Sequence, residues 1–151
     1  MKNKNTGNDD SQWNYGIKWK EELETGHEGI DEQHKELFRL TSNLIEACEH
    51  GSSNVEEVGR TLDFLTSYTV NHFADEESLM TKNNYPSRDV HKKKHEDFKQ
   101  TVTELIERYR KSGNTSELSH DVNSIIVHWL VSHILHVDRT LADFVKSVKQ
   151  K

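Results

Sequence analysis

Residues 90–109, VHKKKHEDFKQTVTELIERY, carry apolar residues and two histidines at intervals of three and four residues. The members of this stripe are Val90, His91, His95, Phe98, Val102, Leu105, Ile106 and Tyr109. Such spacing places side chains on one face of an α-helix, because residues three and four apart lie above one another. His91 and His95 therefore lie on the face predicted to be buried, where an imidazole needs a polar partner.

The same periodicity recurs in three other stretches, from about residue 31 to 49, from Val55 to about 83, and from about 116 to 144. Val55 is the first member of the apolar stripe in the second of these stretches. Residues 51–54 (GSSN), 83–86 (NNYP) and 112–114 (SGN) separate the stretches, and Ser53 or Asn54 is a suitable N-cap. Alternating strand patterns do not occur in the sequence. Four amphipathic helices with short connections predict an all-α, up-down-up-down four-helix bundle.

The N-terminal residues differ from the helical stretches. Residues 1–12 are polar and predict a flexible tail, whereas Trp13, Tyr15, Ile17 and Trp19 predict an extended segment packed on the outside of the bundle. We therefore divide the chain into a tail, 1–12, and a bundle domain, 13–151. The tail lacks the apolar core of a secretory signal and no stretch resembles a membrane span, so we expect a cytoplasmic protein.

The composition narrows the possible function classes. A formal net charge of −6 argues against a nucleic-acid or anionic-membrane partner, because such partners bind clustered lysine and arginine. The single cysteine, Cys48, cannot form an intramolecular disulfide, which agrees with a reducing compartment. The chain has ten histidines, more than a helical core requires, and this excess directs attention to metal binding.

Polar residues on the apolar stripes predict where a metal would bind. In an antiparallel bundle the start of the first helix is level with the end of the second, and the start of the third with the end of the fourth. Seven potential ligands occupy these four regions: His34, His72, Glu76, His91, His95, His133 and Asp138. Any one such histidine is more often a surface or hydrogen-bonded core residue, but seven ligands at one level indicate a metal cluster.

The remaining histidines are interpreted as structural or surface residues: His27, His50, His120, His128 and His136. One spacing among the ligands is irregular, because His133 and Asp138 are five residues apart. That separation corresponds to roughly 140° around a regular helix. A π-type turn between the two residues would bring them to one face, and we predict such a turn there.

The donor types restrict the metal. Imidazole and carboxylate ligands suit Zn, Fe, Cu or Ni, whereas the absence of clustered thiols excludes Fe–S clusters and structural zinc sites. Lysines occupy every position between His91 and His95, so the glutamate of a zinc-protease helix is missing. Seven ligands are too many for one ion. Two octahedral ions that share both carboxylates and a bridging oxygen would keep one position open for a small molecule.

Four motifs carry a family resemblance: residues 30–34 (IDEQH), 72–77 (HFADEE), 85–95 (YPSRDVHKKKH) and 129–138 (WLVSHILHVD). In this order they resemble the hemerythrins, specifically the single-domain bacteriohemerythrins, over about Trp19 to Phe144. The resemblance implies a non-haem centre of two iron ions, Fe²⁺ or Fe³⁺, with an oxo or hydroxo bridge. It also implies reversible O₂ binding for carriage, storage or sensing, with NO or small anions as further ligands of the open iron.

The resemblance assigns a role to each predicted ligand. One iron would be bound by His91, His95 and His133. The other iron, which keeps the open position, would be bound by His34 and His72, and both ions would be bridged by Glu76 and Asp138. The residues that match the apolar O₂ pocket of the family are Leu37, Phe73, Trp129, Leu130 and Ile134.

Two other function classes stay open. Ferritin-like bundles that act as di-iron oxidases, ferroxidases, peroxide-reducing enzymes or iron stores use carboxylate-rich sites with paired Glu-x-x-His motifs. Glu117 to His120 matches that motif once, at the wrong level of the bundle. A metal-free structural or interaction bundle would leave five buried histidines without a purpose. We expect a protein that is not an enzyme, beyond weak oxidase or peroxidase activity, and that is a monomer or weak homo-oligomer without nucleic-acid or membrane-inserted partners.

Overall fold

The computed structural model describes residues 19–50 and 55–149. Three of the helices are α1 (Glu28–His50), α2 (Val55–Lys82) and α3 (Arg88–Ser112). The fourth, α4, spans 115–149 as α-helical segments Thr115–Asp121, His128–His133 and Arg139–Lys149 joined by π-helical segments Val122–Val127 and Ile134–Asp138. The described residues contain no strand, so the predicted all-α fold is confirmed.

Side-chain pairs between neighbouring helices show the direction of each helix. Gln33, near the start of α1, contacts Asp75 near the end of α2. Glu49 at the end of α1 accepts a hydrogen bond from Ser119 at the start of α4. The end of α3 also pairs with the start of α4, through Arg108 and Asp121 at 2.7 Å. Neighbouring helices are therefore antiparallel, as the up-down-up-down prediction requires.

The turn between α3 and α4 follows directly from its sequence. Gly113 ends α3 with φ 65°, a left-handed conformation that favours glycine, and its N–H donates to the Tyr109 carbonyl at 2.7 Å. Asn114 then caps α4, because its side-chain oxygen accepts from the Glu117 N–H at 3.0 Å. The two residues reverse the chain within one short connection.

Two apolar clusters fill the interior on either side of the predicted ligand level. The larger contains most of the buried leucine and isoleucine side chains, among them Leu37, Leu44, Leu62, Leu105 and Ile126. The smaller closes the other end and consists of Ile30, Met80, Tyr85, Leu141, Ala142 and Val145. Among the described residues, no helix is long and apolar enough to cross a lipid bilayer.

Two residues of the predicted apolar stripes are exposed. Val55 and Val90 are 58% and 62% accessible to solvent, so their assignment to the buried face was wrong. Each lies in the first turn of its helix. A first turn at the end of a bundle has few neighbouring side chains to cover it, whatever its place in the periodic pattern. The tail, the aromatic residues before Trp19, and the possible caps Ser53 and Asn54 lie outside the described residues.

The segment before α1 is fixed by the buried Asp31 carboxylate. The Thr25 N–H and hydroxyl donate to Asp31 Oδ1 at 2.9 and 2.8 Å, and the Gly26 N–H donates to Oδ2 at 3.2 Å. Gly26 has φ 91°, a conformation available to glycine. Arg139 of α4 donates to the carbonyls of Glu22 and Glu24. The N-terminal segment is therefore attached to both α1 and α4.

Asp31→Ala is expected to destabilise the fold, because it removes the acceptor of three hydrogen bonds and leaves buried Thr25 groups unsatisfied. The expected loss is about 1–3 kcal/mol in the free energy of unfolding, measured by urea denaturation. Glu32→Ala, at an exposed neighbouring position, serves as the control and should change stability by less than about 0.5 kcal/mol. Equal small effects of both variants would show that Asp31 does not hold this segment.

Candidate metal centre

The seven predicted ligands meet in the interior of the bundle. Each is at most 5% accessible to solvent, and together they come from all four helices: His34, His72, Glu76, His91, His95, His133 and Asp138. The level of each ligand matches the one expected from antiparallel helices. The structure thus brings together every residue of the predicted set.

The ligands form two overlapping groups. In each group the donor atoms lie within 4.8 Å of one another. The first group consists of His91, His95, His133, Glu76 and Asp138, and the second of His34, His72, Glu76 and Asp138. Because both groups contain the same two carboxylates, the arrangement describes two adjacent positions for metal ions, one with three imidazoles and one with two.

The two oxygens of Glu76 face different groups. Oε2 lies 3.1 Å from His72 Nε2 and 3.6 Å from His34 Nε2. Oε1 lies 3.3 Å from His91 Nε2 and 3.2 Å from His95 Nε2. A carboxylate placed in this way can give one oxygen to each of two metal ions.

Asp138 has the same arrangement. Its Oδ2 lies 2.9 Å from His34 Nε2, whereas its Oδ1 lies 3.1 Å from Nε2 of both His91 and His133. The π-helical segment Ile134–Asp138 makes this possible, because it brings His133 and Asp138 to one face despite their five-residue separation. The predicted π-type turn is confirmed.

The inner atoms of the cluster lack hydrogen-bond partners. They are Nε2 of His34, His91, His95 and His133 and both oxygens of Glu76 and of Asp138. Their close approaches do not have hydrogen-bond geometry. Buried polar atoms in folded proteins are almost always paired, and a cation is the partner that imidazole lone pairs and carboxylates have in common. The donor set therefore fits a pair of metal ions.

Burial and the carboxylates act in opposite directions on the imidazole pKa values. Burial lowers the pKa of His34 and His91, but contacts with Asp138 and Glu76 outweigh it and raise each pKa to about 9. Burial prevails at His133, whose pKa lies below its ordinary value. Without metal, two protonated imidazoles would balance the two carboxylates at neutral pH. A metal ion must displace those protons, so its affinity falls as the pH is lowered.

The carboxylates respond to the same surroundings. Burial tends to raise the pKa of both, but the imidazoles more than offset it, chiefly His72 for Glu76 and His133 for Asp138. The pKa of each carboxyl group therefore lies below its ordinary value. Both side chains stay ionised at neutral pH, which is the state that binds a cation.

Two ligands make hydrogen bonds on their outer side. His72 Nδ1 lies 2.6 Å from Gln33 Oε1, and His95 Nδ1 lies 2.9 Å from Glu77 Oε2. Gln33 in turn donates to Asp75 at 2.8 Å. No role was predicted for Gln33, Asp75 or Glu77, although each stands directly beside a ligand in the IDEQH and HFADEE motifs.

Two of the predicted pocket residues stack on ligand histidines. The Phe73 ring stacks on His95 with centroids 3.9 Å apart, and Trp129 stacks on His133 at 4.2 Å. Leu37, Leu130 and Ile134 are buried in the same core cluster as Phe73. Trp129 is the one member that is only partly buried. Their role as the lining of an O₂ pocket stays a prediction.

The other histidines lie away from the cluster as far as the structure describes them. His120, His128 and His136 are exposed. His27 is partly buried and caps α1, because its Nδ1 accepts from the Ile30 N–H at 3.2 Å. The side chain of His50 lies outside the described part. This distribution agrees with the interpretation of these residues as structural or surface histidines.

A helical bundle whose core contains two histidine–carboxylate groups joined by shared carboxylates belongs to the class of helical proteins with a site for a pair of metal ions. Residues 25–145 match the family model described as "Hemerythrin HHE cation binding domain". The chain belongs to the hemerythrin family, as the four sequence motifs indicated.

Individual relatives agree with this assignment. The chain is 33% identical to a bacteriohemerythrin of Stenotrophomonas maltophilia (strain R551-3), with 85% of this chain and 81% of the relative covered. It is 32% identical to a myohemerythrin of Theromyzon tessulatum, with 80% and 86% covered. A crystal structure of wild-type hemerythrin has a TM-score of 0.75 at 28% identity, covering 85% of this chain and 97% of that one.

Proposed function

We propose that the chain binds O₂ reversibly at a non-haem centre of two iron ions. The observation that carries this proposal is the unequal pair of ligand groups, three imidazoles against two around the same two carboxylates. The group of His34 and His72 has one protein ligand fewer, and an incompletely filled metal position can accept a small molecule. The names of the relatives, which are bacteriohemerythrins and a myohemerythrin, support the same assignment.

The chain's own residues would prepare this position. When bound, a pair of ferrous ions supplies the electrons for holding O₂. Glu76 and Asp138 offset the charge of the ions and hold the two positions beside each other. The imidazoles bring neutral donors, so the buried site does not accumulate further negative charge.

The surroundings of the site favour retention of O₂ over turnover. Leu37, Phe73 and Ile134 are at most 1% accessible to solvent and exclude water from the ligand level. Ile30 and Met80, both buried, close the end of the bundle beyond it. A site that excludes water and protons limits the side reactions that convert bound O₂ into released products. These features support a carrier, a store or a sensor and not an oxidase.

The test uses iron-loaded protein that has been reduced without oxygen. Exposure to air should produce a visible absorption band that disappears under argon and returns over repeated cycles, while iron-free protein shows no band. Permanent conversion to a ferric spectrum with release of H₂O₂ would replace the carrier assignment with oxidase chemistry.

A further inference from the structure

Three consecutive residues of α2 face three different parts of the bundle. Glu76 points to the ligand cluster. Successive helical residues are about 100° apart, so Asp75 and Glu77 lie on opposite flanks of Glu76. Asp75 contacts Gln33 of α1, and Glu77 contacts His95 of α3. One turn of α2 therefore supplies a carboxylate shared by both groups and also supports one histidine of each group. Glu77 contacts His95 directly, and Asp75 supports His72 through Gln33.

The Gln33 amide is held in one orientation. A carboxylate only accepts hydrogen bonds, so the amide nitrogen must face Asp75 Oδ2, at 2.8 Å. The amide oxygen then faces His72 Nδ1 and accepts a hydrogen bond from its N–H at 2.6 Å. His72 consequently keeps the lone pair of Nε2 directed at the two-histidine position. Its outer partner is a neutral group, and the charge of Asp75 behind it is exposed to solvent.

His95 has a charged outer partner. The Glu77 carboxylate accepts a hydrogen bond directly from the His95 Nδ1–H at 2.9 Å, and the Glu77 side chain is 22% exposed against 0% for His95. A hydrogen bond to a carboxylate increases the electron donation of an imidazole to a metal and fixes its tautomer. His95, in the three-histidine position, should therefore donate electron density to a metal more strongly than His72 does in the two-histidine position.

Two of the three remaining ligand histidines have no outer hydrogen bond. Nδ1 of His34 and of His91 is buried and has no hydrogen-bond partner. Within each group, therefore, at least one imidazole lacks an outer hydrogen bond. His72 is the oriented member beside His34, and His95 is the oriented member beside His91.

We infer that Glu77 is a positioning residue that strengthens metal binding by the three-histidine group, so that a first divalent cation enters the His91, His95 and His133 position and a second enters the His34 and His72 position. This inference rests on the proposed metal centre. It concerns the order and strength of loading, and it holds for any divalent cation that imidazole and carboxylate bind.

Stepwise titration of the metal-free chain with Co²⁺, monitored by visible absorption and calorimetry, tests the inference. Wild-type protein should bind two ions in two distinguishable steps. Glu77→Gln keeps an acceptor and removes the charge, and it should weaken the first step about 10-fold or more while the second changes little. Glu96→Gln removes an exposed charge from the residue after His95 and should leave both steps unchanged.

Two further measurements separate the possible failures. Gln33→Met should weaken the second step alone, because it removes the partner of His72. Crystals with one equivalent of Co²⁺ should show anomalous density at the His91, His95 and His133 position. Equal density at both positions, or a Glu77→Gln variant that alters neither step or both equally, would overturn the inference. Failure of the wild-type chain to bind Co²⁺ would instead contradict the metal centre itself.

Discussion

Glu76→Ala is expected to reduce the metal content of the chain from two ions to at most one. Glu76 faces four imidazoles, two with each oxygen, whereas Asp138, the other shared carboxylate, faces three. Its removal leaves Asp138 as the only shared carboxylate and leaves two cations with one anion fewer in a buried site, which is costly. The measurement is metal analysis after dialysis against buffer without added metal.

The control for this variant is an acidic residue on the same helix. Asp63→Ala removes a carboxylate whose side chain is 73% exposed, so it should retain two ions per chain. If Glu76→Ala also retained two ions, the carboxylate would not be shared between two metal positions, and the site as described would be wrong.

His133→Ala is expected to lower metal affinity and thermal stability together. His133 contacts Asp138 at 3.1 Å and stacks on Trp129, so the substitution removes a donor and its packing. A loss of ~10–100-fold in affinity corresponds to about 1.4–2.7 kcal/mol at saturating metal. In a domain of this size that energy lowers the melting temperature by about 3–10 °C. Metal titration and calorimetric unfolding of the metal-loaded protein measure the two effects.

The exposed His136 provides a matched comparison. It lies three residues further on, in the π-helical segment that follows His133, and His136→Ala should bind metal and unfold like wild type. Metal-free forms of wild type and His133→Ala should also differ less in melting temperature than their metal-loaded forms, because part of the effect is linked to binding. Unchanged metal stoichiometry and affinity in His133→Ala would remove this residue from the ligand set.

The position of the ligands along the bundle axis was predictable, because it depends only on where each ligand lies in its helix and on the direction of that helix. His72 and Glu76 lie near the end of a long helix and His34 near the start of the one before it, and short connections force such helices to be antiparallel. The π-type turn between His133 and Asp138 was predictable for a related reason. Two polar residues that must share a buried face cannot be five positions apart on a regular helix.

The second π-helical segment, Val122–Val127, had no such signal. It contains no pair of buried polar residues whose spacing would conflict with a regular helix. Ile126 and Val127 are both buried, and aliphatic side chains fill a core equally well in either helical geometry. A register change among apolar residues therefore leaves little trace in the sequence.

The outer hydrogen bonds were not predictable for a different reason. Gln33 and Glu77 lie on helix flanks, where polar residues usually face solvent. Whether such a residue reaches a histidine on the next helix depends on the separation and rotation of the two helices, which periodicity does not contain. Val90 shows the opposite case. Its spacing fits the buried face of the helix, but its side chain is exposed because it lies where the bundle ends.

Anomalous diffraction from crystals of the iron-loaded chain tests the central claim most directly. We expect two iron ions about 3.5–4 Å apart, a spacing typical of paired metal sites. One ion should be bound by His91, His95 and His133, the other by His34 and His72, and both by Glu76 and Asp138. A single iron in this cluster, or two irons that do not share both carboxylates, would contradict the account.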